Sequence, residues 1–307
     1  MAIALCMVVK DEANRIEACL DAALGAVDEV VIFDTGSTDG TPERILKRYG
    51  IKTFHGTLDE SRCYAKSGLR NRGYELAKAD WILSLDADEC IEVVALHQFR
   101  AVRHSPGVSG YFGAWTNHVA GAAGFEDYKL FLFRRGFRKR GLVHENAQID
   151  LRERGARAEW LDGLVVHHHP EAAKHPAKET LYRWRLRCAM AKEPHWTRYA
   201  WFYGYMCFQS GDFDQAERHL RACAGTEAPL FPVERLNSFM VLAELYARRS
   251  EREVALAALD AALALHERVA DDFEVRINFR LAPWLREARD ACARGALESV
   301  RAYRFAR

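Results

Sequence analysis

Asp86 and Asp88 stand two residues apart, with Glu89 directly after them, where the apolar run Trp81-Ile-Leu-Ser-Leu85 gives way to polar sequence. Carboxylates set this close repel one another unless a cation lies among them. A hard divalent ion such as Mg2+ or Mn2+ takes such oxygen ligands and binds phosphate oxygens at the same time. The pattern is short, and a solvated acidic turn would read the same way. A second cluster, His167-His-His169, follows the apolar Val165-Val166; on strand alternation His167 and His169 share a face and His168 points away. Arg134-Arg135-Gly-Phe-Arg138-Lys139-Arg140 puts five basic residues in seven, a run that could attract phosphate or be a solvated hairpin tip.

These residues need a scaffold, and the first half of the chain supplies one in short apolar runs that alternate with helical patterns. Ile3 to Val9, Glu29 to Asp34, Ile51 to His55 and Trp81 to Leu85 read as strands. The intervening segments, including one opened by Pro42 and one over Arg62 to Lys78, read as helices. That rhythm predicts a parallel, doubly wound sheet, whose ligands bind beyond the carboxyl ends of the strands. Asp34 and Asp86 both lie there. Further strands are expected over Tyr111 to Val119, Lys129 to Arg135 and Leu161 to His167, as a mixed or antiparallel addition. Trp115 is a candidate stacking surface for a sugar, with a place in the sheet core as its rival.

After Pro176 the pattern is helical to the end. Gly204, Cys207, Gly211, Phe213, Ala216 and Leu220 recur in spacing as Ala243, Tyr246, Ser250, Arg252, Ala255 and Leu259, 39 residues on. The pattern resembles a tetratricopeptide helix-turn-helix, whose usual period is about 34, with Gly225 to Glu234 absorbing the difference. An irregular helical bundle is the alternative. The expected division is 1–172 and 177–307.

Composition agrees with a folded chain: 307 residues, 49% hydrophobic, with 44 basic against 43 acidic residues. Near neutrality argues against a nucleic-acid partner. The first residues lack the features of a signal peptide, and no apolar stretch reaches the roughly 18 residues that a membrane span needs. A cytoplasmic location is expected, with a place at the inner face of the membrane left open. The eight scattered cysteines read as reduced thiols.

Taken in order, Cys6-Met-Val-Val-Lys10-Asp-Glu12, Val31-Ile-Phe-Asp34-Thr-Gly-Ser-Thr-Asp39-Gly-Thr41, Arg70-Asn71, Trp81 to Glu89 and Val143-His-Glu145 resemble family 2 glycosyltransferases of the GT-A fold. The likeness extends to the subgroup of lipopolysaccharide-core glucosyltransferases and tetratricopeptide-containing peptide S-glycosyltransferases. It implies an α/β nucleotide-diphospho-sugar transferase domain, Rossmann-like, followed by an all-α tetratricopeptide-like domain. The implied activity is metal-dependent, inverting transfer of a sugar from a nucleotide donor, with a UDP-sugar favoured, to a glycan, lipid-linked or peptide acceptor.

Residue by residue, the resemblance implies that Lys10, Glu12, Asp34, Arg70 and Asp86 bind the nucleotide sugar. Asp88 and Asp86 would hold Mn2+ or Mg2+ with His167 as the third ligand and His169 as second choice. Glu145 would be the base, with His144 either orienting it or touching the donor sugar. Asp34 has a rival role as a turn or capping residue, though Asp39 suits the cap better. Asp11 departs from the family's usual Asn, and a short carboxylate there could weaken or rearrange a turn hydrogen bond. A homodimer through the helical domain remains open. Two other classes remain: a sugar-phosphate nucleotidyltransferase, and a repeat-based interaction protein with an idle transferase site.

Overall fold

The computed structural model describes residues 2–58, 66–93, 107–118, 124–170, 176–227 and 230–305. The chain forms two compact units, Met1–Lys174 and His175–Arg307.

The first unit is an α/β sheet of eight strands. Its elements are β1 (Ile3–Val9), α1 (Ile16–Ala23), β2 (Glu29–Asp34), α2 (Thr41–Tyr49), β3 (Phe54–His55), α3 (Ser67–Leu76) and β4 (Trp81–Ser84), then β5 (Glu89–Val93), β6 (Val108–Asn117), β7 (Phe125–Arg134), α4 (Gln148–Glu153) and β8 (Arg157–His168). The strand order is β3-β2-β1-β4-β7-β6-β8-β5. β1 to β4 run parallel, as the strand-helix alternation requires, and β7 enters antiparallel beside β4. Every residue of β1 and β4 is buried, because helices cover both faces of a parallel sheet and leave no polar side. α1 buries Ile16, Cys19, Leu20 and Ala23, one stripe at helical spacing.

Several boundaries differ from the sequence reading. The third strand shrinks to Phe54–His55, and the helix expected from Arg62 begins at Ser67, with 59–65 outside the described residues. β5 was not expected at all. It forms because the turn after β4 is closed by two backbone-directed bonds: Glu89 N donates to Asp86 O (3.0 Å) and Asp86 N to Glu89 Oε2 (2.9 Å). The chain then reverses and pairs antiparallel with β8, setting Glu89 opposite His168 and Cys90 opposite His167. Gly113 in β6 is needed where β8 bulges against it, since a Cβ there would lie 2.5 Å from Leu164 O.

The second unit is helical: α5 (Pro176–Lys192), α6 (Arg198–Gln209), α7 (Phe213–Ala224), α8 (Pro232–Arg248), α9 (Arg252–Arg268), α10 (Phe273–Ile277), α11 (Leu281–Ala293) and a final 3-10 turn at Leu297–Ser299. The sequence repeat maps onto two helix-turn-helix pairs, α6–α7 and α8–α9. Gly211 and Ser250, equivalent in the repeat, both take left-handed φ (83° and 62°) in the turns. Gly204 lets the pair close, since a Cβ there would meet Leu220 at 2.9 Å. A shared core runs through Cys207, Leu220, Leu236, Tyr246 and Leu259. Among the described residues no helix is long and apolar enough to cross a membrane, and the described cysteines are free thiols.

Candidate active site

Arg70 is the hub of the site. It lies on α3, only 7% exposed, and its Nη2 donates to Asp86 Oδ1 at 2.5 Å while its Nε donates to Glu145 Oε1 at 3.2 Å. Burial alone would discharge a guanidinium, but the Asp86 and Glu145 charges raise its pKa instead. Burial likewise opposes ionisation of Asp86; Arg70, followed by Lys129, holds its carboxyl well below the usual carboxylate range. Lys129 on β7 approaches Asp86 Oδ2 (3.6 Å) and pairs with the 1%-exposed Glu89 (2.6 Å). The expected donor-binding pair Arg70 and Asp86 and the expected base Glu145 are thus one connected network. His144, exposed and with φ of 52°, forms the left-handed step that precedes Glu145.

Asp88 sits elsewhere in the turn and faces His168, with Nε2 to Oδ2 at 3.3 Å. Burial works to raise the Asp88 pKa, but the bond to His168 outweighs it and the net shift is downward. Two of the residues expected at the metal have other neighbours here. Asp86, expected as a metal ligand, is ion-paired here with Arg70 and lies near Lys129. The imidazole beside Asp88 is His168 rather than His167 or His169. The alternation was sound, for His167 and His169 do share a face, but the face that meets Asp88 is set by the β5–β8 pairing. His167 instead bonds Glu92 (2.9 Å) and His118 (2.9 Å), and His169 stacks on His118 at 4.5 Å. Among the described residues no group of three His, Cys, Asp or Glu side chains converges as a metal site. Trp115 is not an open sugar platform either: the His168 ring stacks on it at 4.8 Å and Lys129 lies 5.8 Å from its centroid.

The remaining candidates line the neighbouring strand ends. Asp34, 6% exposed, uses its carboxylate on its own loop, accepting from Gly36 N (2.9 Å), Ser37 N (3.0 Å) and Ser37 Oγ (2.5 Å), so the turn role is filled. Asp39 accepts from Thr41 N and, across to the β1–α1 loop, from Ala13 N. Glu12 pairs with Arg15 (2.6 Å), and its backbone N–H donates to Thr41 Oγ1. Lys10 follows the last residue of β1 and is exposed. Asp11 makes the turn rather than disturbing it: at φ of 54°, where Asp and Asn are the best tolerated side chains, it accepts from Thr38 N at 2.7 Å.

Lys129 was missed, and Lys139, Glu89 and His168 were noticed only as members of their clusters, with no individual role. A lysine inside the apolar β7 sequence was a signal for the first. The basic run hid the second: it separates into Arg138 on Glu75, Arg140 on Glu153 and Arg134 over the Trp81 ring, and only Lys139 is buried. Asp127 on β7 also escaped notice, and burial pushes its carboxyl up to about 6. The folded state therefore binds more protons than the unfolded chain between about pH 4 and 6, and the cost of ionising Asp127 appears as pH rises through that window. Asp127→Asn is expected to raise the urea midpoint at pH 7.5 and to leave it nearly unchanged at pH 4. An equal effect at both values would show that the carboxyl is not desolvated.

Residues 4–151 match the sequence model of glycosyl transferase family 2. A TPR repeat-containing protein of Synechococcus elongatus is 27% identical over 270 residues, covering 85% of this chain and 66% of that one. An uncharacterized glycosyltransferase of Rickettsia bellii is 31% identical over 86 residues, 27% of this chain and 26% of its own. The chain thus spans just under two thirds of the first relative and about a quarter of the second. Among solved structures, TarS 1-349 of S. aureus in complex with UDP-GlcNAc aligns over 96% of this chain and 92% of its own at 13% identity, with a TM-score of 0.45. The strand order, the motifs at the strand ends and the match over 4–151 agree: residues 4–151, within the first unit, carry the sequence pattern of glycosyl transferase family 2.

Proposed function

We propose that this glycosyltransferase moves a sugar, with inversion, from a nucleoside diphosphate donor, with uridine favoured, to a glycan, lipid-linked or peptide hydroxyl or thiol. The observation that carries this reading is the Arg70 network, which sets a carboxylate able to take a proton, Glu145, beside Asp86 at the end of β4. Inverting transfer needs one such base. Asp34, Glu12 and Lys10 line the adjacent strand ends, where the nucleotide of an open α/β sheet binds.

A divalent ion fits this turn through Asp88 and His168. Their facing atoms are 3.3 Å apart, the order of separation of two neighbouring ligands on one small cation. Mg2+ and Mn2+ ordinarily keep several positions for water and substrate phosphate, so two protein ligands suffice. When bound, the ion would supply Lewis-acid stabilisation of the departing diphosphate. Arg70 keeps Asp86 oriented, and Glu89 keeps the turn closed from beneath.

The test is a thermal-shift panel of nucleotides and nucleotide sugars with and without Mn2+. A shift of several degrees for one nucleoside diphosphate, larger with Mn2+, is expected. No response to any nucleotide under either condition would defeat the reading. Release of pyrophosphate, rather than a nucleoside diphosphate, during turnover would mark a nucleotidyltransferase instead.

A further inference from the structure

Lys139 is a buried amine without an ion-pair partner among the described residues. The residue is 6% exposed, and its backbone is clamped to α3: its N–H donates to Asn71 Oδ1 (2.8 Å) and its carbonyl accepts from Asn71 Nδ2 (2.9 Å). That clamp, one residue from Arg70, directs the side chain into the network. The charged groups around it are Arg70 from α3, Asp86 from the β4–β5 turn, Lys129 from β7 and Glu145 from the loop before α4. The two carboxylates are already engaged, Asp86 by Arg70 and Lys129 and Glu145 by Arg70. Among the described residues the Lys139 ammonium has no hydrogen-bond or ion partner. Burial, then the Arg70 and Lys129 charges, push its amine down to about 7. The Nη1 of Arg70 is also buried without a hydrogen-bond partner.

Lysine is seldom buried unless paired, because desolvating an ammonium is costly. Here a buried lysine without a partner lies within the field of a guanidinium whose Nη1 lacks an acceptor, and the local carboxylates are already engaged. An oxyanion would complete both. We propose that Lys139 Nζ and Arg70 Nη1 form a phosphate subsite that receives the donor's diphosphate, a step that rests on the nucleotide-sugar reading above. In the transfer, the acceptor's oxygen or sulfur bonds the anomeric carbon while the bond from that carbon to the phosphate oxygen breaks. The electron pair passes to the phosphate, the acceptor proton passes to Glu145, and Lys139 donates a hydrogen bond to the oxygen that gains charge.

The test compares wild type, Lys139→Met and Lys139→Arg in the full chain by thermal melting without ligand and by calorimetric binding of UDP, UMP and inorganic pyrophosphate. Lys139→Met removes an unpaired buried charge while keeping most of the volume, so its unliganded Tm is expected to equal or exceed that of wild type. Its UDP and pyrophosphate affinities are expected to fall about tenfold or more, its UMP affinity less, and Lys139→Arg to recover part of the loss. Unchanged UDP affinity in Lys139→Met overturns the subsite. So does a lowered Tm with equal loss of UDP and UMP, which would make Lys139 structural. If wild type binds pyrophosphate through Lys139 but no nucleotide, the subsite stands and the donor reading falls; if wild type binds neither, both fall.

Discussion

Glu145→Gln is expected to lower glycosyl transfer by about 10²- to 10⁴-fold, the range over which a positioned proton acceptor acts, while donor affinity stays close to that of wild type. The amide keeps the shape of the side chain, and its carbonyl can still accept from Arg70 Nε, which is 3.2 Å from Oε1 in the native protein. What it loses is the ability to take the acceptor's proton. Steady-state transfer measured beside calorimetric donor binding separates the two effects. An equal loss of binding and transfer would mean that Glu145 serves only to hold Arg70, and a variant with full transfer would remove it from the chemistry.

Asp88→Ala is expected to abolish Mn2+-stimulated transfer and the metal-dependent part of nucleotide binding, with activity down by about 100-fold or more. His168→Ala should reproduce the defect, because His168 is the imidazole at 3.3 Å from Asp88. His167→Ala should not, because that ring is spent on Glu92 and His118. Wild-type transfer that persists undiminished in chelator would refute a metal role for this turn. The reverse pattern, with His167 essential and His168 dispensable, would restore the ligand expected from sequence.

The two histidine variants also show where sequence stops being informative. Whether His167 or His168 meets Asp88 depends on which face of β8 turns toward β5, and strand alternation fixes only that they lie on opposite faces. β5 itself is five residues whose pairing depends on a turn closed through Glu89, and no period-2 pattern announces it. Asp34 is a similar case. Its type and place at a strand end were legible, but its three local hydrogen bonds are a property of how the loop after β2 closes.

The basic run from Arg134 to Arg140 illustrates the same limit for electrostatics. As sequence it was five charges that could act together; in the fold Arg134, Arg138 and Arg140 go to different partners, because successive residues of a tight bend face different neighbours. Lys139 alone turns inward, held by Asn71.

By itself the sequence determined the parallel part of the sheet, the paired helices of the second unit, the strand ends at which Asp34 and Asp86 stand and the helix that carries Arg70. These follow from local periodicity and the handedness of strand-helix-strand connections, and both are written in nearest-neighbour spacing. Only the tertiary structure decided that Arg70 joins Asp86 to Glu145, 16 and 75 residues away, that His168 rather than His167 faces Asp88, and that a lysine is buried among them. Such partners are chosen by long-range packing and desolvation, which act on distances in space that the spacing of residues along the chain does not encode.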